Sequence, residues 1–314
     1  MSERVVFART LSEGAKPIHL ENLSAFLPAW VHFDALQNGV EDDLLGLGVA
    51  GSVVERLLAN ETRPRLIQMD DGILLILRGI NLNLDQDPVD MISLRIWIQG
   101  QLIITIRRQP LASVQEVRQH VESGVGPKTV QGVLIHILAA IADRISRHID
   151  GLTERVDALE DALETTLELN AVEISDLRRQ IASLRRFIAP QRDALFELSR
   201  IKAQLLDGPE TDQVRDQADR FMRYVEDLDL IRERASFVQE GLNQRLQEAQ
   251  NQRGYMLSLM AGLFLPATFI TGVFGMNVGG LPGVDNPSGF YWVLGSMFGL
   301  SLAILLWFQI RRWW

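Results

Sequence analysis

The sequence predicts an α+β domain that continues into a long helical stalk and ends in a two-helix transmembrane hairpin. Three observations carry this prediction. Residues 1–127 alternate short Val-, Ile- and Leu-rich runs with helical patterns. From residue 128 the apolar positions recur at threes and fours instead. From Gly254 to Ile310 there is no Lys or Arg, and Asp285 is the only charged residue, although the 314 residues include 31 basic and 40 acidic side chains. The net charge of −9 and the 47% hydrophobic content therefore average over two unlike parts, which excludes a single soluble globule.

In the first part, strand-like runs cover residues 4–9, 29–33, 64–69, 73–80, 91–98 and 102–107, bounded by Gly, Pro, Asn or Asp. Gln99-Gly100-Gln101-Leu102 predicts a tight hairpin between the last two. Helical patterns cover 52–59 and 113–122. Gly46-Leu47-Gly48-Val49-Ala50-Gly51 has the letters of a dinucleotide fingerprint, but no convincing strand precedes it and the βαβ setting is missing, so it reads as a glycine-rich loop.

The stalk, residues 128–254, opens with Leu134, Leu138, Ile141, Ile145, Ile149, Leu152, Val156, Leu159 and Leu163 along one helical face. A second helix is expected over 172–206, and Asp207-Gly208-Pro209 breaks the chain. A third begins near Glu210 and meets no proline until Pro266, so it is expected to enter the membrane unbroken, about 100 Å long at ~1.5 Å per residue. Glu154, Asp157, Glu160, Asp161, Glu164 and Glu168 form an acidic run, followed by Arg178, Arg179, Arg185, Arg186 and Arg192. The acids either concentrate cations through their summed field or simply pair, as a solvated face, with the basic helix beside them. The plainer reading carries more weight.

Residues 255–276 (YMLSLMAGLFLPATFITGVFGM) and Gly289–Ile310 (GFYWVLGSMFGLSLAILLWFQI) each run 22 residues without a charge. About 20 suffice to cross ~30 Å of hydrocarbon as a helix. The loop between them, 277–288, lacks Lys and Arg, whereas Arg245 and Arg253 precede the first span and Arg311 and Arg312 open the tail, 311–314. The positive-inside rule puts both termini in the cytoplasm and the loop outside.

Two spans cannot enclose an aqueous path, so conduction would need several copies, each lending one span. Counting back from Gly272 by alternating fours and threes gives Thr268, Leu265, Ala261, Ser258, Gly254, Asn251, Gln247, Gln244 and Glu240, a seam of mostly small or uncharged-polar residues. The second span has no such stripe. The seam is read as pore-lining, with close helix packing as the plainer explanation; Pro266 is expected to bend this span.

The chain has no Cys, which excludes disulfides, thiolate zinc sites, iron–sulfur clusters and a cysteine nucleophile. His19, His32, His120, His136 and His148 are scattered, so no closed, high-affinity metal site is expected. The acidic balance argues against nucleic acid as a partner. MSERVVFART lacks the apolar core of a signal peptide, so the N-terminal part is expected to fold in the cytoplasm. No nucleophile–base set or complete cofactor motif points to an enzyme.

Gly275-Met276-Asn277 ends the first span, ahead of a short loop, a second span and a basic-aromatic tail. This arrangement resembles the CorA superfamily of divalent-cation transporters. The wider stretch GMNVGGLPG looks like the ZntB branch, since Val278-Gly279-Gly280 stands where CorA proper continues Met-Pro-Glu. The resemblance implies a homopentameric funnel in a bacterial inner membrane, with first spans around one axis and second spans outside them. It implies that Asn277 meets the arriving hydrated cation, with Gly275 and Met276 in the same selectivity motif, and that Zn²⁺ is cargo rather than cofactor. Helix capping is the plainer role for Gly275 and Asn277. The branch also implies coupling to the proton gradient. Residues 255–276 contain no Asp, Glu, His, Lys or Arg, so coupling would use residues outside the span, or water or hydrated metal within it. The alternatives are a CorA-type magnesium or cobalt channel and a non-conducting, membrane-tethered coiled-coil scaffold or sensor.

Overall fold

The computed structural model describes residues 4–12, 15–60, 63–84, 86–165, 170–201, 209–276, 279, 281, 283 and 286–310. The chain divides into two compact units, Met1–Gln239 and Glu240–Trp314.

In the first unit, six strands form one sheet: β1 (Val5–Thr10), β2 (Ala29–Asp34), β3 (Arg65–Met69), β4 (Gly72–Gly79), β5 (Ile92–Gln99) and β6 (Leu102–Arg107). All six expected runs form, to within one residue at either end. The order is β1-β2-β6-β5-β4-β3, antiparallel throughout except for β2 beside β6. A parallel pair needs a long crossover, and the segment from residue 35 to 101 supplies it. The expected hairpin closes through Gly100 at φ +55° and Gln101, with Gln99 opposite Leu102.

A 3₁₀ helix (Leu20–Phe26) and α1 (Val40–Gly46) add to the two expected helices, α2 (Gly51–Leu58) and α3 (Ala112–Glu122). Glu41, Asp42 and Asp43 occupy the first turn of α1, where carboxylates favour the positive end of the helix, and Leu44 is fully buried. The glycine-rich segment is thus shorter as a loop than expected. Gly46 closes α1, Gly51 opens α2, and Gly48 makes the turn at φ +80°.

Both sheet faces are covered. Leu74, Ile76, Trp97, Ile104 and Ile106 pack with Val40, Leu44, Val53, Val54 and Leu57 of α1 and α2. Alternation sends Ile73, Leu75 and Leu77 to the other face, where they too are buried. There α4 (Val130–Thr165) and α5 (Ala171–Arg200) contact β4, and α5 also contacts β3.

The predicted apolar face of α4 is buried from Leu134 through Leu159. Asn170 caps α5 by accepting from the Val172 amide at 3.0 Å. This helix is shorter than expected: it ends at Arg200, Ile201 is extended, and residues 202–206 lie outside the described ones. The third stalk helix, α6 (Pro209–Phe274), places its proline in the first turn, where a missing N–H costs nothing, and continues past Gln239 into the second unit. Within the first unit it buries Val214, Ala218, Phe221, Val225, Leu228, Ile231, Ala235 and Val238. Fully buried side chains of this size contribute about 1.5–3 kcal/mol each. The half-exposed ion pairs between the helices, such as Arg185 with Asp229, contribute about 0–1 kcal/mol. Apolar packing decides the bundle.

His32 is fully buried on β2. Its Nδ1 lies 2.8 Å from Thr105 Oγ1, which also accepts from Trp30 Nε1 at 2.8 Å. Burial first, then the nearby Arg107 and Arg118, push its pKa from 6.5 down to about 3, against the opposing hydrogen bond with Thr105. The unfolded chain therefore binds one more proton than the native state between about pH 6.5 and pH 3, and stability falls as pH falls through that window. His32→Phe is expected to reduce the pH slope of stability there by about 1.4 kcal/mol per pH unit. Urea titrations of the detergent-solubilised chain at stepped pH, read by tryptophan fluorescence, measure it; an unchanged slope refutes it.

Candidate ion pathway

The second unit contains the end of α6 and α7 (Gly289–Ile310). Each helix has an 18-residue window of mean hydropathy 1.8, and none of either window is buried. Fully unburied apolar helices of this length suit hydrocarbon rather than a protein core. Pro266 sits inside α6 without ending it.

α7 covers only one side of α6. The partly covered positions of α6 are Tyr255, Leu259, Gly262, Leu263, Pro266, Ala267, Ile270 and Val273, recurring at threes and fours. On α7 the corresponding line is Gly289, Val293, Met297, Ser301, Ile304 and Phe308. The two helices meet at Gly262, where an added Cβ would touch the Phe308 ring at 3.7 Å; Tyr255 meets the same ring edge-on at 6.5 Å between centroids. Glycine there lets the aromatic ring approach the helix backbone. Sequence reasoning missed this contact, and its one available signal was a glycine on an otherwise bulky face.

The predicted seam lies elsewhere on α6. Gly272, Thr268, Leu265, Ala261, Ser258, Gly254, Asn251, Gln247, Gln244 and Glu240 are all exposed. Apart from the helix's own backbone, no heavy atom of the described residues lies within 4 Å of the Cβ position at Gly254 or Gly272. The small residues are therefore not used to pack α6 against α7. Ser258 donates its hydroxyl hydrogen to the Gly254 carbonyl at 2.9 Å, and Thr268 to that of Phe264 at 2.8 Å. A hydroxyl whose hydrogen is taken by its own helix presents only lone pairs outward, which suits a cation or the water around it. Gln247 Nε2 donates to Asn251 Oδ1 at 3.1 Å, steadying two amides of the same seam.

At the C-terminal end of α6, the Gly275 amide donates to the Thr271 carbonyl at 2.8 Å and that of Met276 to the Val273 carbonyl at 3.4 Å. A Cβ on Gly275 would sit 2.9 Å from the Thr271 oxygen, so the backbone there admits glycine and little else. Met276 is exposed, and Asn277 lies outside the described residues.

The residues quoted so far belong to a known pattern. The family model for CorA-like Mg²⁺ transporter proteins matches residues 28–312. The chain belongs to the CorA family of divalent cation transporters. Among CorA relatives, it is 36% identical over 290 residues to the divalent cation transporter CmaX of Pseudomonas aeruginosa, covering 90% of this chain and 86% of that one. It is 34% identical over 287 residues to the zinc transport protein ZntB of Pectobacterium carotovorum subsp. carotovorum, covering 91% and 88%. The solved structure of full-length CmaX superposes with a TM-score of 0.85 at 32% identity, covering 100% of this chain and 99% of that one.

The acidic run of this CorA member divides in two. Asp157 and Glu160 pair with Arg234 of α6, Asp157 at 2.5 Å, and these hydrogen bonds, Glu160 foremost, raise the pKa of the arginine. The expected pairing with the basic helix is corrected accordingly: the partner is on α6, whereas Arg185 of α5 turns to Asp229 and Arg179 to Asp176. A guanidinium on the facing turn of α6 reaches both acids at once, which the arginines of α5 do not. Glu154, Asp161 and Glu164 are exposed and make no ion pair among the described residues; Glu168 lies outside them.

Proposed function

We propose that the chain transports Zn²⁺ across the bacterial inner membrane as a homopentamer, with the seam of α6 lining the path and both termini cytoplasmic. One observation carries this reading. The polar, small-residue face of α6 is the face that α7 leaves open, so further copies of α6 can meet there while each α7 stays toward lipid. Gly272, Thr268, Ala261, Ser258 and Gly254 then line the membrane part of the path, Leu265 narrows it, and Asn251, Gln247 and Gln244 continue it toward the cytoplasm. A path of hydroxyl and amide oxygens binds a divalent ion weakly enough to release it. Gly275-Met276-Asn277 forms the outer mouth, and Glu154, Asp161 and Glu164 keep charge available to attract cations.

Relatives named for zinc support zinc as cargo, while the family description names magnesium. Purified protein in liposomes distinguishes them. Zinc influx is expected to exceed magnesium influx and to rise when a proton gradient is imposed. Preference for magnesium without response to the gradient would replace the zinc reading with a channel of CorA type, and absence of any divalent flux would overturn transport.

A further inference from the structure

A second site lies in the first unit, well away in sequence from the seam. A pocket of about 530 Å³ opens at the ends of β4, β5 and β6, and Arg78, Arg95 and Arg108 line it together with Asn60, Asp87 and Asp90. That size falls within the ~300–1,000 Å³ typical of small-molecule sites.

Each arginine donates to a backbone carbonyl. Arg95 Nη2 donates to the Ala59 carbonyl and Arg108 Nη2 to that of Leu58, both at 2.7 Å, so the pair holds the carbonyls that end α2. Arg78 Nη1 donates to the Met91 carbonyl at 2.6 Å while its guanidinium lies 4.5 Å above the Phe187 ring. Capping explains one nitrogen on each of Arg95 and Arg108 and leaves the others. Arg95 is 0% exposed, yet its Nε and Nη1 are buried without a hydrogen-bond partner, as is Nε of Arg108. Among the described residues neither arginine makes an ion pair. Burial, then the adjacent charges of Arg108 and Arg78, lowers the pKa of Arg95 to about 10. Buried guanidinium groups are ordinarily paired with an anion. Asp87 and Asp90 are exposed, where water screens them, whereas Arg95 is shielded from it and Arg78 and Arg108 are partly so.

We infer that this pocket binds a multivalent phosphate compound, whose oxygens complete the unpaired donors of Arg95 and Arg108. The guanidinium fork matches phosphate oxygens two at a time, which a chloride ion cannot exploit. The ligand is either a free oxyanion such as pyrophosphate or the polyphosphate end of a nucleotide. α5 supplies Phe187 to the wall and Gln191 Oε1 to the Arg78 amide at 2.6 Å, so an occupied pocket bears directly on the seating of α5 against the sheet.

Calorimetric titration and thermal shift of the full-length protein in detergent, at constant ionic strength, test this with sodium phosphate, sodium pyrophosphate, metal-free ATP and sodium chloride. Pyrophosphate or ATP is expected to bind saturably and raise the melting temperature. Arg108→Gln is expected to weaken that binding by about tenfold or more, the loss of one charge-assisted pair. Arg95→Lys, which keeps the charge but not the fork, is expected to weaken it too, and it guards against misfolding of a charge-deleted variant. Tighter binding of ATP than of pyrophosphate identifies a nucleotide, and equal or weaker binding a free oxyanion. No saturable binding below about 10 mM, an equal response to chloride, or unchanged affinity in both variants would overturn the inference.

Discussion

Asn277→Ala is expected to reduce divalent-cation flux in liposomes by about tenfold or more while leaving expression and assembly intact. The magnitude follows from removing a hydrogen-bonding amide that meets a charged ligand, worth about 1.5–3 kcal/mol per contact. An amide oxygen offers a dipole without net charge, so it can take the place of outer-shell water and still release the ion. Asn277→Asp separates this from a simple capping role. At the C-terminal end of α6 an aspartate would cap less well than asparagine, because its charge opposes the helix dipole. That defect would not tighten zinc binding, whereas a ring of carboxylates would hold Zn²⁺ more tightly and slow its release. The aspartate variant is therefore expected to bind zinc more tightly and conduct it more slowly. Wild-type flux in both variants would remove Asn277 from the path. Gly275→Ala is unsuitable for this purpose, because its Cβ would stand 2.9 Å from the Thr271 carbonyl oxygen and disturb the backbone itself.

The larger effect is expected from filling the seam. Gly272→Phe adds its Cβ where nothing but the helix's own backbone lies within 4 Å, on a face that the single chain leaves exposed. In a pentamer five such rings would converge on the axis, and flux is expected to fall by about two orders of magnitude as the constriction closes and dewets. Gly295→Phe on α7 is the matched control. Its Cβ position is likewise open, but α7 faces lipid in the proposed arrangement, so flux is expected to stay within about twofold of wild type. Equal loss in both variants, or none in either, would refute α6 as the pore-lining helix. Detergent-solubilised particles sized before the assay keep a failure of assembly from passing as a blocked pore.

Local patterns made much of the fold legible. The six strands were readable because short apolar runs between turn residues leave few alternatives, and the face of α4 because Leu134 to Leu159 recur at helical spacing. α1 escaped notice because seven residues give too short a period, and its stability depends on burying Leu44 against the sheet. The end of α5 at Arg200 was equally hidden: the apolar pattern continues to Leu206, and backbone geometry at Ile201 ends the helix regardless. The one parallel pairing, β2 with β6, depends on partners about 70 residues apart and leaves no local trace. The arginine pocket was invisible for the same reason. Arg78, Arg95 and Arg108 are isolated charges in separate segments until the sheet brings them together. The polar stripe of α6 was legible from helical spacing, and the Gly275-Met276-Asn277 motif through resemblance to the CorA superfamily.

The sequence by itself determined that the chain carries two helices long and apolar enough to span a membrane and that one has a polar seam, since hydropathy and helical periodicity are local sums over neighbouring residues. Which face of α6 stays open was decided only in the tertiary structure. That choice rests on how the Phe308 ring seats against Gly262, a contact between residues on different helices whose rotation no local pattern specifies. The partner of the acidic run was decided in the same way, when the tertiary structure brought Arg234 of α6 to Asp157 and Glu160 of α4.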